Sequence, residues 1–143
     1  MDRKGPWVES SVAVLCGGES EERAVSLKTG QAIYGALSEL GYDVSLIDAT
    51  SHGLSQFAKE PHDVAFIALH GALGENGGVQ GMLECLQVPY TGSGIHGCAV
   101  TMNKASAKAV WRFSGMDTPD WRVIERPDAR KLLESRSEPA PVP

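Results

Sequence analysis

Short apolar runs alternate along the 143-residue chain with segments whose apolar residues recur every three or four positions. That alternation predicts βαβ units: a strand buried on both faces reads as a continuous apolar run, while a covering helix shows one apolar stripe. Ser11–Cys16 (SVAVLC) reads as the first strand, ended by Gly17 and Gly18. A helix is expected over about residues 24–40, with Ile33, Ala36, Leu37 and Leu40 on its stripe and Gly41 as its left-handed terminator. Residues 42–47 and 63–69 read as the second and third strands. Val79, Met82, Leu83 and Leu86 then recur at i, i+3, i+4 and i+7, so the glycine-rich stretch HGALGENGGVQG (residues 70–81) opens into a helix. VPYT (88–91) predicts a short fourth strand, and helical patterns cover 95–102 and 104–114, with Asn103 between them as an N-cap and Gly115 closing the second. WRVI (121–124) reads as the start of another strand. The fold class this predicts is α/β, a Rossmann-like parallel sheet with flanking helices.

Beyond Ile124 the pattern stops. ERPDARKLLESRSEPAPVP is charged, then punctuated by proline, and has no apolar stripe to pack. The expected division is an N-terminal extension over 1–10, an α/β domain over 11–118, and a linker or the truncated start of a further region over 119–143. Composition adds exclusions: 42% hydrophobic and 22% charged residues are ordinary for a globular domain. A net charge of −5 without a basic cluster argues against nucleic acid as a partner. No run approaches the about 18 apolar residues of a membrane span, and MDRKGPWVESS lacks a signal-peptide core, so a cytoplasmic protein with no membrane partner is expected. Three cysteines without a C-x-x-C spacing suit a reducing compartment; Cys16 and Cys98 are expected as packing groups.

In an open parallel sheet, ligands bind beyond the carboxyl ends of the strands, and three unusual loops follow strands here. The first carries Glu19, Glu21, Glu22 and Arg23 at the start of a helix. Acidic side chains there favour the helix dipole, or one carboxylate grips a substrate ammonium. In the second, the glycines at 71, 74, 77 and 78 permit positive φ and leave N–H groups at a helix start for a carboxylate or phosphate. His70 either donates to that anion or simply ends a strand, and Glu75 is expected to brace the loop by accepting N–H bonds. The third, Gly92-x-Gly94-x-x-Gly97, matches a dinucleotide fingerprint by the letter, with Asp117 as a ribose acid. Its place after a fourth strand disfavours that reading. Lys104 begins a helix, where the dipole disfavours a cation, and an anion such as a nucleotide phosphate would relieve it.

Together these loops resemble the N-terminal domain of the D-alanine–D-alanine ligases, an ATP-grasp family. H-G-x-x-G-E-[D/N]-G-x-aliphatic-Q-G is met by His70, Gly71, Gly74, Glu75, Asn76, Gly77, Val79, Gln80 and Gly81. G-G-x-S-x-E-R-x-V-S-L is met from Gly17 to Leu27, P-Y-T-G-S-G from Pro89 to Gly94, and M-[D/N]-K at Met102-Asn103-Lys104. The resemblance implies that Glu22 orients the ammonium of the first D-alanine and that His70, with the backbone of Gly71 and Gly77, sits by its carboxylate. It implies that Lys104 reaches ATP. It also implies ATP and Mg²⁺ in the complete enzyme, held mostly by an ATP-grasp domain, or a separate chain, that residues 119–143 do not supply. The isolated chain is then expected to be inactive. A homodimer is a further implied partner, with Trp111, Phe113 and Trp121 as apolar surface left by the absent part. A ligase joining D-alanine to D-lactate or D-serine, and a non-catalytic binding module, are the alternatives.

Overall fold

The computed structural model describes residues 10–124, which form two compact units dividing between Asn103 and Lys104. The extension expected over 1–10 (Ser10 apart) and the linker residues 125–143 lie outside the described residues.

Three parallel strands form the sheet of the first unit in the order β2-β1-β3: β1 (Ser11–Cys16), β2 (Asp43–Asp48) and β3 (Val64–Ile67). The central strand β1 is buried along nearly its whole length, as its unbroken apolar run requires. Its side chains alternate between two cores. Ala13 and Leu15 join Phe57, Val79 and Leu83, contributed by α2 (Ser51–Phe57) and α4 (Gly78–Cys85). Val14 and Cys16 meet Leu27, Ile33 and Leu37 of α1 (Arg23–Glu39) on the opposite face. The predicted α/β fold with helices on both faces is therefore present.

Helix α1 ends as its sequence demands. Gly41 takes φ +83°, and the N–H groups of Gly41 and Tyr42 bond back to Ser38 O and Leu37 O at 2.9 and 3.2 Å, a left-handed termination that glycine favours. The stripe is rotated from the expected one. Ala36 and Leu40 are exposed, and the line facing the sheet runs through buried Gly30 with half-buried Leu27, Ile33 and Leu37. Gly30 is the reason: a Cβ there would overlap Cys16 Cβ on β1, so the helix rides directly on the strand at that point.

Further departures have local causes. Helix α2 is absent from the hydropathy reading because it is short and shows few apolar residues, of which Phe57 is buried; its start is marked by Thr50, whose Oγ1 accepts from Gly53 N at 3.2 Å. A single turn, α3 (Ala72–Glu75), interrupts the glycine-rich loop. The predicted fourth strand shrinks to one parallel bridge between Tyr90 and Ala65. Pro89 has no N–H to donate, Thr91 Oγ1 takes the N–H of Ile67 at 3.1 Å where a strand carbonyl would have been, and Gly92 at φ +102° turns the chain away. Helix α5 (Ile95–Met102) completes the first unit, with Asn103 closing it as the C-cap.

In the second unit, α6 (Lys104–Phe113) ends at Gly115, φ +75°, with the N–H of Gly115 bonded to Arg112 O and that of Met116 to Trp111 O. Residues 121–124 are irregular instead of forming a strand. Trp121 packs beneath charge: Arg112 and Lys108 lie 4.6 and 5.7 Å from its ring centroid, and Arg112 also bonds Asp120 at 2.7 Å. Of the aromatic residues expected as bare surface, Phe113 is 94% exposed, Trp111 is partly exposed, and Trp121 is covered by these cations.

Candidate active site

The loops after β1, β2 and β3 enclose a cavity of about 270 Å³, bounded by Gly17, Ser20, Ala49, Leu69, His70 and Gly71. It lies beyond the carboxyl ends of the strands, where a parallel sheet is expected to bind its ligand.

Hydroxyl groups join the strand ends beneath it. The fully buried Ser26 accepts the N–H of Gly17 and donates to Ala68 O, both at 2.8 Å, so α1 holds the ends of β1 and β3 together. Six residues earlier, ahead of the helix, Ser20 donates to the carbonyl of His70 at 2.8 Å and accepts the N–H of Glu22 at 3.2 Å. Two predicted site residues are thus tied to one hydroxyl. Gly71 follows with φ +68° and ψ −179°, a conformation that a side chain resists. A Cβ at Gly71 would fall 2.5 Å from Glu22 Oε2, so the carboxylate lies directly against that glycine. Glu22 is the N-cap residue of α1, yet its side chain makes no capping bond. The dipole reading of this residue therefore lacks its usual contact, and the carboxylate is spent on the rim beside His70 instead. Glu19 has a different role, accepting from Ser51 N and Oγ at 3.3 and 3.2 Å.

Across the rim, Arg23 grips Asp48 with two parallel bonds of 2.7 and 2.6 Å and donates to Gly18 O at 2.8 Å. Asp48 also accepts from Gly18 N at 3.1 Å, which fixes the left-handed Gly17-Gly18 turn. The Arg23 hydrogen bonds hold the Asp48 carboxyl below the ordinary carboxylate range, with the Gly18 N–H adding to the effect and desolvation opposing it. The pH dependence follows from that sign. An acid whose folded pKa is depressed stabilises the fold above its unfolded value, about 3.9, and loses that contribution as pH falls through the folded value. Urea midpoints of the protein and of Asp48→Asn are accordingly expected to converge as pH drops from 5 to below 3; a gap that stays constant over that range would contradict the assignment. Burial, with Asp48 next in importance, pushes the Cys16 thiol up, as befits a packing group.

The glycine-rich loop is braced by amides. Gln80, buried, donates to Gly74 O at 2.8 Å, and Asn76 Oδ1 accepts from Gly78 N at 2.9 Å. Glu75, expected to brace the loop, is exposed, and the brace falls to these two neighbours. One N–H expected to await an anion, that of Gly78, is likewise already taken. Gly77, φ +96°, approaches the backbone of Ile95 so closely that a Cβ would lie 3.0 Å from its carbonyl oxygen. The Gly92–Gly97 match follows a one-residue bridge in place of a strand, and Asp117 lies in the second unit, so the context of a dinucleotide fingerprint is missing.

Glu22, His70, Gly71 and Gly77 all belong to the first unit; Lys104, exposed, begins α6 in the second. Ser20, Ser26, Thr29 and Asp48 were given no role from sequence. Their signal was weak, because short hydroxyl residues inside a helix carry no periodicity, and a carboxylate closing a strand reads as solvent-facing. Among the described residues, no three His, Cys, Asp or Glu side chains converge as a metal site, and no helix is long and apolar enough to cross a membrane.

Residues 50–93 match the family model described as D-ala D-ala ligase N-terminus. A D-alanine–D-alanine ligase of Anaeromyxobacter sp. (strain Fw109-5) is 44% identical over 140 residues, which are 97% of this chain and 45% of that protein. The crystal structure of the D-alanine–D-alanine ligase of Bacillus anthracis superposes with a TM-score of 0.71 and 35% identity, covering 86% of this chain and 42% of that one. The same enzyme complexed with ATP gives 0.71 and 32%, covering 87% and 43%. The chain thus spans less than half the length of these relatives. By sequence and by fold it is related to the D-alanine–D-alanine ligase family and corresponds to the N-terminal domain of those proteins.

Proposed function

We propose that the chain forms the D-alanine-binding wall of an ATP-dependent D-alanine–D-alanine ligase of peptidoglycan precursor synthesis in the cytoplasm. The observation that carries this reading is the meeting of Glu22 with Gly71, immediately beside His70 at the strand rim. A carboxylate free of capping duty is suited to a substrate ammonium, and such a pair fixes a small amino acid at one end. His70 is then placed beside the reacting carboxyl carbon, whose oxygens the backbone at Gly71 and Gly77 is assigned to hold. ATP would supply the activation, passing its terminal phosphoryl group to one D-alanine carboxylate with release of ADP; the amine of a second D-alanine then attacks the acyl phosphate, forming the amide bond, losing a proton and expelling phosphate. Lys104 is the residue of this chain assigned to ATP. Mg²⁺ ligation and the remaining nucleotide contacts are assigned to the ATP-grasp part.

This division of labour makes a direct prediction. The 143-residue chain alone is expected to release no phosphate from ATP in response to D-alanine. D-alanine-dependent phosphate release by the purified chain would show that the nucleotide machinery does not lie elsewhere.

A further inference from the structure

Thr29, on α1, touches the site from a side the preceding motifs do not use. Its hydroxyl lies 3.0 Å from Val25 O, one turn back in the helix, and 3.3 Å from Nε2 of His70. A hydroxyl carries one proton. The contact to Val25 is the usual back-bond of a helical threonine and is the shorter of the two, so it takes that proton. The proton between Thr29 and His70 must then come from the imidazole. Ser20 also pins the backbone carbonyl of His70 at 2.8 Å, so the residue is held at its main chain as well as at its ring tip.

We propose that Thr29 is a positioning residue that fixes His70 as the Nε2–H tautomer, making Nδ1 the ring nitrogen that meets the substrate. The consequence is chemical. A neutral His70 so held offers Nδ1 as an acceptor, suited to an N–H of the substrate or to a proton leaving the attacking amine. It donates to a carboxylate or phosphoryl oxygen only after Nδ1 itself is protonated. The simpler role of a neutral donor to an anion, expected from sequence, belongs to the opposite tautomer, and that would require Thr29 to give up Val25. The identity of the substrate rests on the ligase reading; the tautomer does not.

The test is ¹⁵N–¹H long-range correlation spectroscopy of the histidine rings in the full 143-residue chain at alkaline pH. The exposed His96 provides an internal reference. His70 is expected to be more strongly biased toward Nε2–H than His96, to keep that bias in Thr29→Ser, and to relax to the His96 ratio in Thr29→Val. A wild-type ratio equal to that of His96, or one unmoved by Thr29→Val, would overturn the proposal. Substrate contact is read separately, in a chimera completed with the ATP-grasp part of a relative. There Thr29→Val is expected to raise KM for D-alanine about fivefold, the equivalent of one neutral hydrogen bond, with Thr29→Ser near wild type. If the tautomer responds while KM does not, the hold of Thr29 on His70 stands and the contact of His70 with D-alanine falls.

Discussion

Replacing Gly30 with alanine is expected to destabilise the first unit by about 2 kcal/mol, although alanine is the better helix former. Gly30 is buried in α1 where the helix crosses the central strand. A Cβ there would overlap Cys16 Cβ and come within 2.8 Å of Cys16 Sγ and 3.5 Å of Leu46 Cδ1. Cys16 cannot yield, because its Cβ is fixed by a strand paired on both sides up to Leu15. Relief therefore requires α1 to lift, which would loosen Ser26 from the ends of β1 and β3 and Thr29 from His70. Helix propensity returns up to about 1 kcal/mol, less than overpacking a close-packed core removes. Gly35 is the control within the same helix. A Cβ there meets nothing within 4 Å, so Gly35→Ala is expected to stabilise by up to about 1 kcal/mol. Urea titrations of both variants decide the matter; equal shifts of the same sign would refute close packing at Gly30.

The two glycines also show where the sequence is informative. Alternation of apolar runs was enough to locate β1, α1 and β3, because burial on both faces of a strand leaves a periodicity that any reader can find. Gly41 and Gly115 were legible as terminators, since positive φ at a helix end has few other solutions. The rotation of the α1 stripe was not, because its closest contact is made by a residue with no side chain. Likewise VPYT reads as a strand from its residue types, yet the Thr91 hydroxyl replaces the backbone partner that a strand would need. At the site, loop position and family resemblance nominate Glu22, His70 and Gly71, and the structure brings the three close together. The groups that hold them (Ser20, Ser26, Thr29 and the Arg23–Asp48 pair) act through single hydrogen bonds between segments far apart in sequence. No local pattern records such partners.

Neutralising Glu22 is expected to produce the largest functional effect. Glu22→Gln keeps shape and backbone, including the N–H bonded to Ser20, and removes the charge that the proposal gives to the substrate ammonium. Glutamine cannot balance the charge of an ammonium, and loss of one partner in a charge pair is costly once the pair is taken out of water. The expected fall in kcat/KM for D-alanine is roughly a hundredfold. Stability is expected to be nearly unchanged, because the side chain is exposed and makes no capping bond. That separation of activity from stability distinguishes a substrate-binding carboxylate from one that merely favours a helix end.

The most direct measurement joins residues 1–124 of this chain to the remaining part of the Anaeromyxobacter ligase, to which it is 44% identical over the aligned length. D-alanine-dependent phosphate release from ATP is then followed with and without Glu22→Gln. The account predicts an active chimera that loses roughly two orders of magnitude in kcat/KM with the substitution while its unfolding midpoint stays in place. A folded chimera without activity, or one that works equally well with glutamine at position 22, would contradict the claim that this rim is the D-alanine-binding wall of a ligase.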